Sequence, residues 1–435
     1  MIEGTSMQWR NWDGRVRCEP QQYLEPATEQ EAAELLARVA GDGRHLRVAG
    51  SGHSFTPLVR SNDVLVSVRK LRGIIKLDRD RQEVEVGAGT VLRDLSPALA
   101  QEGFALENLG DIDEQTVAGA ISTGTHGTGL ALGGLASGVT ALRIATTAGT
   151  LVDIDGSDID RLQAAVVSLG ALGILTRIRI KVVPRYRLKL VARRAPLSEA
   201  LDHCAEWARH HRHFEFFWFP HSDQCQLKFT DISDEPLKPR SRRSRMADDI
   251  LETGVFGSAS ALCRFVPAMS PALSRFAGRF VSEASVVDES YRIFASNRKV
   301  RFHETEYALP LDAAIPALTA IQSRIAEKNY RVHFPVEVRF GAADSGWLSL
   351  SHGRPSCYIA VHMAQGMDFR EYFADMEAIF SDFDGRPHWG KRHSLQRDDF
   401  TRLYPRFEDF NSLREEFDPD MTLLNNHLRT LFTGP

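Results

Sequence analysis

Residues 108–129, from Asn108 to Gly129, read NLGDIDEQTVAGAISTGTHGTG. So many Gly, Ala, Ser and Thr in one nonrepetitive loop keep side chains out of the way, letting backbone lie against something flat or charged. A bound cofactor is the economical explanation. Gly127 and Gly129 imitate part of a dinucleotide fingerprint, but the third glycine is not at the required spacing and no βαβ pattern leads into them. A Rossmann domain is therefore disfavoured, and no GxxxxGKS/T loop occurs elsewhere.

Upstream, Arg47 to Phe55 reads RVAGSGHSF, a strand running into a Gly/Ser turn with His53 at its tip. Its glycines allow positive φ and close approach, and their N–H groups form an anion-binding nest in which a pyrophosphate would fit. The local pattern fits a tight turn with a hydrogen-bonded histidine equally well. Around these loops the elements are short. Thr28 and Glu31 form a capping box before a helix ending at Gly41, and strands follow at 46–50, 64–68, 73–78 and 83–89. Further along come a helix over 92–103, a hairpin over 139–154 turning at Ala148-Gly149, a helix over 160–170 stopped by Gly170, and a long strand to Pro184.

From about residue 185 the texture changes to aromatic strands such as HFEFFWFP (213–220) and longer helices such as 311–329, predicting a second domain. Its segment HFPVEVRF (333–340) alternates, so Glu337 and Arg339 share one face of a strand while Phe334, Val336, Val338 and Phe340 share the other. Glu337 and Arg339 alone would read as a surface ion pair. Tyr358 and His362 alternate in the same way, and GRPHWGK (385–391) sets Lys391 in a compact aromatic turn with His388 and Trp389. A carboxylate, a guanidinium, an imidazole and an ammonium converging on one pocket suit removal of hydrogen from an alcohol carbon. The hydride itself needs a cofactor, since no side chain accepts one.

The 435 residues are enough for two or three domains with a large core. Lys and Arg number 53 against 57 Asp and Glu, a net charge of −4, which supplies no basic field for nucleic acid. Five scattered cysteines without CxxC spacing indicate neither a disulfide framework nor a zinc site, and no other metal set is expected. A reducing compartment follows. No secretory h-region and no stretch long enough to span a bilayer is present, which predicts a protein that is cytoplasmic or at most peripheral to a membrane. The basic run 238–249 reads as a solvated linker, and 250–282, interrupted by Arg264, Arg275 and Arg279, as a helical hairpin lying on the core rather than an interfacial anchor.

The motifs GSGHSF, TVAGAISTGTHGTG, VSLGALGILT, HFPVEVRF, GRPHWGK and FDPDMTLLNNHL, in this order, resemble the aldonolactone oxidoreductases of the vanillyl-alcohol-oxidase flavoprotein superfamily, closest to the gulonolactone oxidase branch. The resemblance covers nearly the whole chain, with 183–330 least diagnostic. It implies an α+β fold: a two-subdomain FAD-binding domain over 1–183, an α+β cap with a large antiparallel sheet over 184–395, and a segment 396–435 returning to the FAD domain. His53 matches the position bonded covalently to the flavin, and Gly50, Ser51, Gly52 and Ser54 match the pyrophosphate loop. Gly119, Ser122, Thr123, Gly124, Thr125, His126 and Gly127 match a second FAD-contacting segment, and Ile174 the stretch near the adenine. Glu337 is implied to orient the substrate and accept its proton, and Arg339 and Lys391 to bind substrate oxygens and stabilise the reduced flavin anion. His362 joins them. The implied reaction is oxidation of a sugar 1,4-lactone to an ascorbate-type product, with oxygen or another acceptor reoxidising the flavin. The same three side chains also resemble alditol oxidase, which makes a polyol the alternative substrate and hydrogen peroxide its product.

Overall fold

The computed structural model describes residues 7–239, 254, 256–281, 283–295 and 300–434. The chain opens with a two-stranded hairpin, β1 (Trp9–Arg10) and β2 (Arg17–Cys18). A small parallel sheet follows, β3 (Gln22–Leu24) and, after α1 (Glu29–Gly41), β4 (Leu46–Ala49) and β5 (Val64–Ser67), with β5 in the middle. Thr28 caps α1 as its sequence predicts, its Oγ1 accepting from the Glu31 N–H at 3.1 Å, but the reciprocal half of the box is shifted by one residue: Glu31 Oε2 accepts from the Ala27 N–H and not from Thr28. Ala32, Ala33, Leu35, Leu36 and Val39, spaced for one helix face, are its buried residues.

Next come β6 (Ile74–Asp78), β7 (Glu83–Gly87), α2 (Leu92–Gln101), β8 (Phe104–Ala105), α3 (Val117–Ser122), β9 (Val139–Ala145), β10 (Leu151–Asp155), α4 (Ile159–Ala165), β11 (Ile174–Lys181) and β12 (Val183–Pro184). Five of these strands form an antiparallel sheet in the order β10-β9-β11-β7-β6. α4 stops at Ala165 rather than running to Gly170. Leu169 and Gly170 take φ of 55° and 65°, and the Arg47 guanidinium holds both of their carbonyls in that left-handed turn.

The second half is built on one eight-stranded antiparallel sheet. Its elements are β13 (Arg187–Pro196), α5 (Leu197–His210), β14 (His213–Trp218), β15 (Gln224–Ile232), α6 (Gly257–Phe265), α7 (Ser270–Arg279), β16 (Ala284–Glu289), α8 (Ser290–Phe294), β17 (Phe302–Pro310), α9 (Ala314–Lys328), β18 (Val336–Gly341), β19 (Ser356–Ala364), α10 (Arg370–Ser381) and β20 (Arg386–Pro387). The strand order is β16-β13-β15-β14-β18-β19-β17-β20. One face, with Phe216, Val338, Ile359 and Val361, packs under α5, α9 and α10 into a single apolar core. The other face carries polar and charged residues and looks toward the first half of the chain. The closing helices α11 (Arg397–Leu403), α12 (Phe407–Phe417) and α13 (Asn426–Phe432) pack into the core formed by residues 32–182. The fold is mixed α+β.

The run 240–249 lies outside the described residues. The helical hairpin forms as α6 and α7 and lies on the core, with Cys263 within the apolar cluster and Phe256 and Leu273 packed against it. Its inward residues are Ser260, Cys263, Ser270, Pro271, Ser274 and Gly278. The socket beneath is polar: Ser260 and Ser270 hydroxyls lie 3.0 and 3.4 Å from the ring nitrogens of buried His333, and Ser274 Oγ donates to the Pro220 carbonyl. Among the described residues no helix is long and apolar enough to cross a membrane.

Candidate active site

Register brings the polar face of the large sheet together. Glu215 on β14 stands opposite Arg339 on β18, Glu337 opposite Ala360 on β19, and His362 opposite Glu304 on β17, with Glu306 two residues on. Period-two alternation puts all of these on one face. Of these, Glu304, Glu306, Glu337, Arg339 and His362 line a cavity of about 520 Å³ together with Trp12, His53, Asp111, His126, Phe302, His388 and Lys391.

Within it the charges are paired. Arg339 binds Glu337 directly, and its Nε donates to Glu215 at 3.2 Å, while Lys228 sits 3.0 Å from the other Glu215 oxygen. Burial disfavours the Arg339 charge, but the two carboxylates outweigh it and hold the guanidinium protonated. Lys391 Nζ lies 2.5 Å from Glu304 and 3.8 Å from Glu306. Burial alone would raise the Glu304 carboxyl, yet Lys391 and His362 bring it down to about 2. His362 Nδ1 donates to the Pro335 carbonyl at 3.0 Å, so its Nε2 faces the cavity, 3.6 Å from Glu304 and 3.9 Å from Glu337.

His126 stacks on Tyr358 with ring centroids 3.6 Å apart. Its Nδ1 donates to the Gly127 carbonyl, and its Nε2 meets Glu306 at 3.1 Å, so this buried pair carries one further proton between them. Burial would raise the Glu306 carboxyl; His126 and Lys391 hold it well below the carboxylate range. His126, Glu306 and His388 approach one another as metal ligands do. His388, however, accepts the Gly390 N–H on Nδ1, which leaves its proton on Nε2, and Lys391 already supplies positive charge beside Glu306. That donor set suits a proton network better than a metal ion.

A narrower cleft of about 90 Å³ joins this cavity through His53, Ser54, Gln115 and Thr123, which line both. Its far end is apolar, with Val48, Leu58, Val59, Val68, Leu169 and Leu175, and its neck is backbone and small side chains: Gly50, Ser51, Gly52, Gly119 and Ser122. A Cβ on Gly50 would come within 2.6 Å of Thr116 Oγ1, and one on Gly119 within 3.0 Å of the same atom. An apolar socket, a backbone-lined neck and a wide charged chamber fit the adenine, pyrophosphate and ring system of FAD in turn. His53 sits at the neck, where burial and nearby Lys391 lower its pKa to about 4.

Three anticipated residues stand elsewhere. Ile174 is wholly buried in the core, and it is Gly173 and Leu175 that reach the cleft. Gly124 has φ of 74° with Leu350 2.8 Å from its Cβ position, and a Cβ on Gly127 would meet Asn108 Oδ1 and the Leu109 carbonyl at 2.4 Å. These glycines are small because protein packs against them. Thr125 and His126 line the larger cavity.

The sequence reading passed over Glu215, Glu304, Glu306, Asp111 and Trp12. The HETE run at 303–306 alternates as HFPVEVRF does and was the available signal for the two β17 glutamates. Trp12 arrives on the tip of the β1–β2 hairpin. Its N–H donates to the Gly52 carbonyl at 2.8 Å, Asn11 Nδ2 donates to Ser54 O, and the indole packs on His53 and Phe302. Asp13, fully buried, accepts from His303 at 2.9 Å and Arg392 at 2.7 Å, tying this strap to the large sheet.

Residues 178–431 match the family described as D-arabinono-1,4-lactone oxidase, and residues 20–155 match an FAD binding domain. The chain belongs to the D-arabinono-1,4-lactone oxidase family. It is 37% identical to an L-gulono-1,4-lactone dehydrogenase of Mycobacterium tuberculosis over 98% of this chain and 99% of that one. It is 33% identical to an L-gulonolactone oxidase of Scyliorhinus torazame over 99% and 100%, and 27% identical to an alditol oxidase of Streptomyces over 98% and 99%. Cholesterol oxidase from B. sterolicum shares the fold, with a TM-score of 0.82 at 16% identity over 98% and 96% of the two chains. The family is one of FAD-dependent oxidoreductases acting on CH–OH groups, within the vanillyl-alcohol-oxidase superfamily.

Proposed function

We propose that this protein oxidises a sugar-derived 1,4-lactone of the L-gulono, L-galactono or D-arabinono kind to an ascorbate-type product, and that oxygen or another acceptor then takes the electrons. The observation that carries this reading is the junction of cleft and cavity: the residues that would hold FAD open directly onto Glu337, Arg339, His362 and Lys391. FAD, bound in the cleft, supplies the hydride acceptor. Arg339 and Lys391 bind the substrate's oxygens and place positive charge where negative charge develops. Glu337, fixed by Arg339, orients the reacting hydroxyl and takes its proton, with His362 Nε2 within reach of the same hydroxyl.

His53 is the attachment point for the flavin. A bond-forming nitrogen must be unprotonated, and the buried His53 ring, with its pKa lowered to about 4, is neutral at pH 7. The five cysteines, all buried and unpaired, suit a reducing, cytoplasmic setting.

Anaerobic mixing with a panel of lactones and alditols tests the proposal. Lactones should bleach the oxidised flavin, and Glu337→Gln should slow bleaching by about 10²–10⁴-fold. Bleaching by alditols alone would favour the second reading, which the alditol oxidase relative supports. Flavin that stays with acid-precipitated polypeptide, and is released when His53→Ala is precipitated, establishes the His53 bond; flavin left wholly in the supernatant of the parent protein refutes it.

A further inference from the structure

We propose that Glu304 is a positioning residue for the lactone oxidation described above, an inference that rests on that reading of the site. With Glu337 it cages His362 Nε2, so that the proton taken from the substrate hydroxyl comes to rest on that ring. Glu304 is 6% exposed and stands opposite His362 where β17 pairs with β19. Two carboxylates are used alike here. Glu304 gives Oε2 to Lys391 at 2.5 Å and turns Oε1 to His362 Nε2 at 3.6 Å. Glu337 gives Oε1 to Arg339 and turns Oε2 to the same nitrogen at 3.9 Å. The His362 ring is fixed between them: its Nδ1 donates to the Pro335 carbonyl and Phe302 meets it edge-on at 5.0 Å, which leaves Nε2 to accept a proton.

Bonds and charges balance. The C–H bond of the reacting carbon breaks and leaves with its electron pair as hydride to FAD, the O–H bond breaks, and a C=O bond forms. The hydroxyl proton bonds first to Glu337 and then to His362 Nε2. One negative charge arrives on the cofactor and one positive charge on the imidazole, so the net charge of the cavity does not change. Loss of the proton to solvent would instead leave an unbalanced charge among buried side chains, where charge is costly. The imidazolium faces Glu304 from β17, Glu337 and Arg339 from β18, and Lys391 from the turn after β20. The two cations repel it, and Glu337 has to be neutral while it carries the proton in. Burial would raise the Glu304 carboxyl, but Lys391 and His362 bring it to about 2, so Glu304 is the counter-charge that stays constant.

Anaerobic mixing of the holoenzyme with L-gulono-1,4-lactone, in weakly buffered solution near neutral pH with a pH indicator, counts the protons set free. The unmutated protein should bleach and keep the proton. Glu304→Gln, whose amide oxygen still accepts from Lys391, should bleach more slowly and release about one proton per flavin. In the steady state Glu304→Gln should lower kcat about tenfold with KM within about threefold, and should move the acid limb of the kcat profile down by about one pH unit. The sign follows from the lost counter-charge: the ring binds its proton less tightly and is free to accept at lower pH. Glu304→Asp should recover most of that shift. A full proton released by the unmutated protein overturns the proposal, as does a proton that Glu304→Gln keeps. An acid limb that stays in place in Glu304→Gln while Tm falls also overturns it, because a merely structural carboxylate behaves that way. Absence of bleaching by lactones and alditols alike would sink the proposed reaction and this role together, whereas bleaching with a full proton released sinks the role alone.

Discussion

Arg47 lies within β4, yet its guanidinium never meets water: it is 2% exposed. It donates to the carbonyls of Leu58, Leu169, Gly170 and Leu423, four points on three separate loops. Burial lowers its pKa to about 10, with Asp418 opposing, so the charge persists at neutral pH. Arg47→Met keeps the volume but strands four buried acceptors, and should cost about 3–5 kcal/mol together with loss of flavin from the adjoining cleft. Thermal unfolding of the purified variant checks this, and a loss under about 1 kcal/mol would show that water replaces the guanidinium without penalty. A charged residue in an alternating strand reads as solvent-facing, which is why the sequence points to the glycines after Arg47 and not to Arg47 itself.

Strand register explains what was and was not legible at the level of elements. Glu337, Arg339, His362 and Lys391 each lie in a local pattern: alternation in HFPVEVRF (333–340) and in CYIAVH (357–362), and a tight turn in GRPHWGK (385–391). Glu215 and Glu304 join them only because β14 pairs with β18 and β17 with β19, pairings that no local period encodes. The β1–β2 strap was missed for the same reason, since its partners are His53, His303 and Arg392, far along the chain. Its seat depends on Gly52, whose φ of 74° excludes an easy Cβ and whose Cβ position lies 3.2 Å from the Trp9 ring. Gly52→Ala should cost about 1–2 kcal/mol and displace the strap, lowering the fraction of flavin that survives acid precipitation. Unchanged retention and stability would mean that the hairpin merely covers the site.

Across the whole molecule, buried neutral imidazoles recur. Burial brings His53, His213, His333 and His393 to about 4, and His388 and His427 to about 3. An unfolded chain titrates its histidines near 6.5, so below that pH it binds more protons than the folded one. The stability these rings contribute is complete above about 6.5 and is lost as pH falls toward their folded values, each ring adding up to about 1.4 kcal/mol per pH unit. Calorimetry should show Tm falling steeply from pH 6.5 to about 4, above the range where Glu304, at about 2, begins to protonate. A Tm that stays level down to pH 4.5 would mean that these rings are solvated.

The return of α11–α13 to the first core also has a consequence for biosynthesis. Leu46 N–H donates to the Thr422 carbonyl, Arg47 to Leu423, and Thr147 to Phe417. A ribosome that has released the first 180 residues has therefore delivered the first core with one wall missing. It must translate the entire large sheet before that wall arrives, so the earliest part of the chain to emerge is among the last to become native, and the wait falls to chaperones.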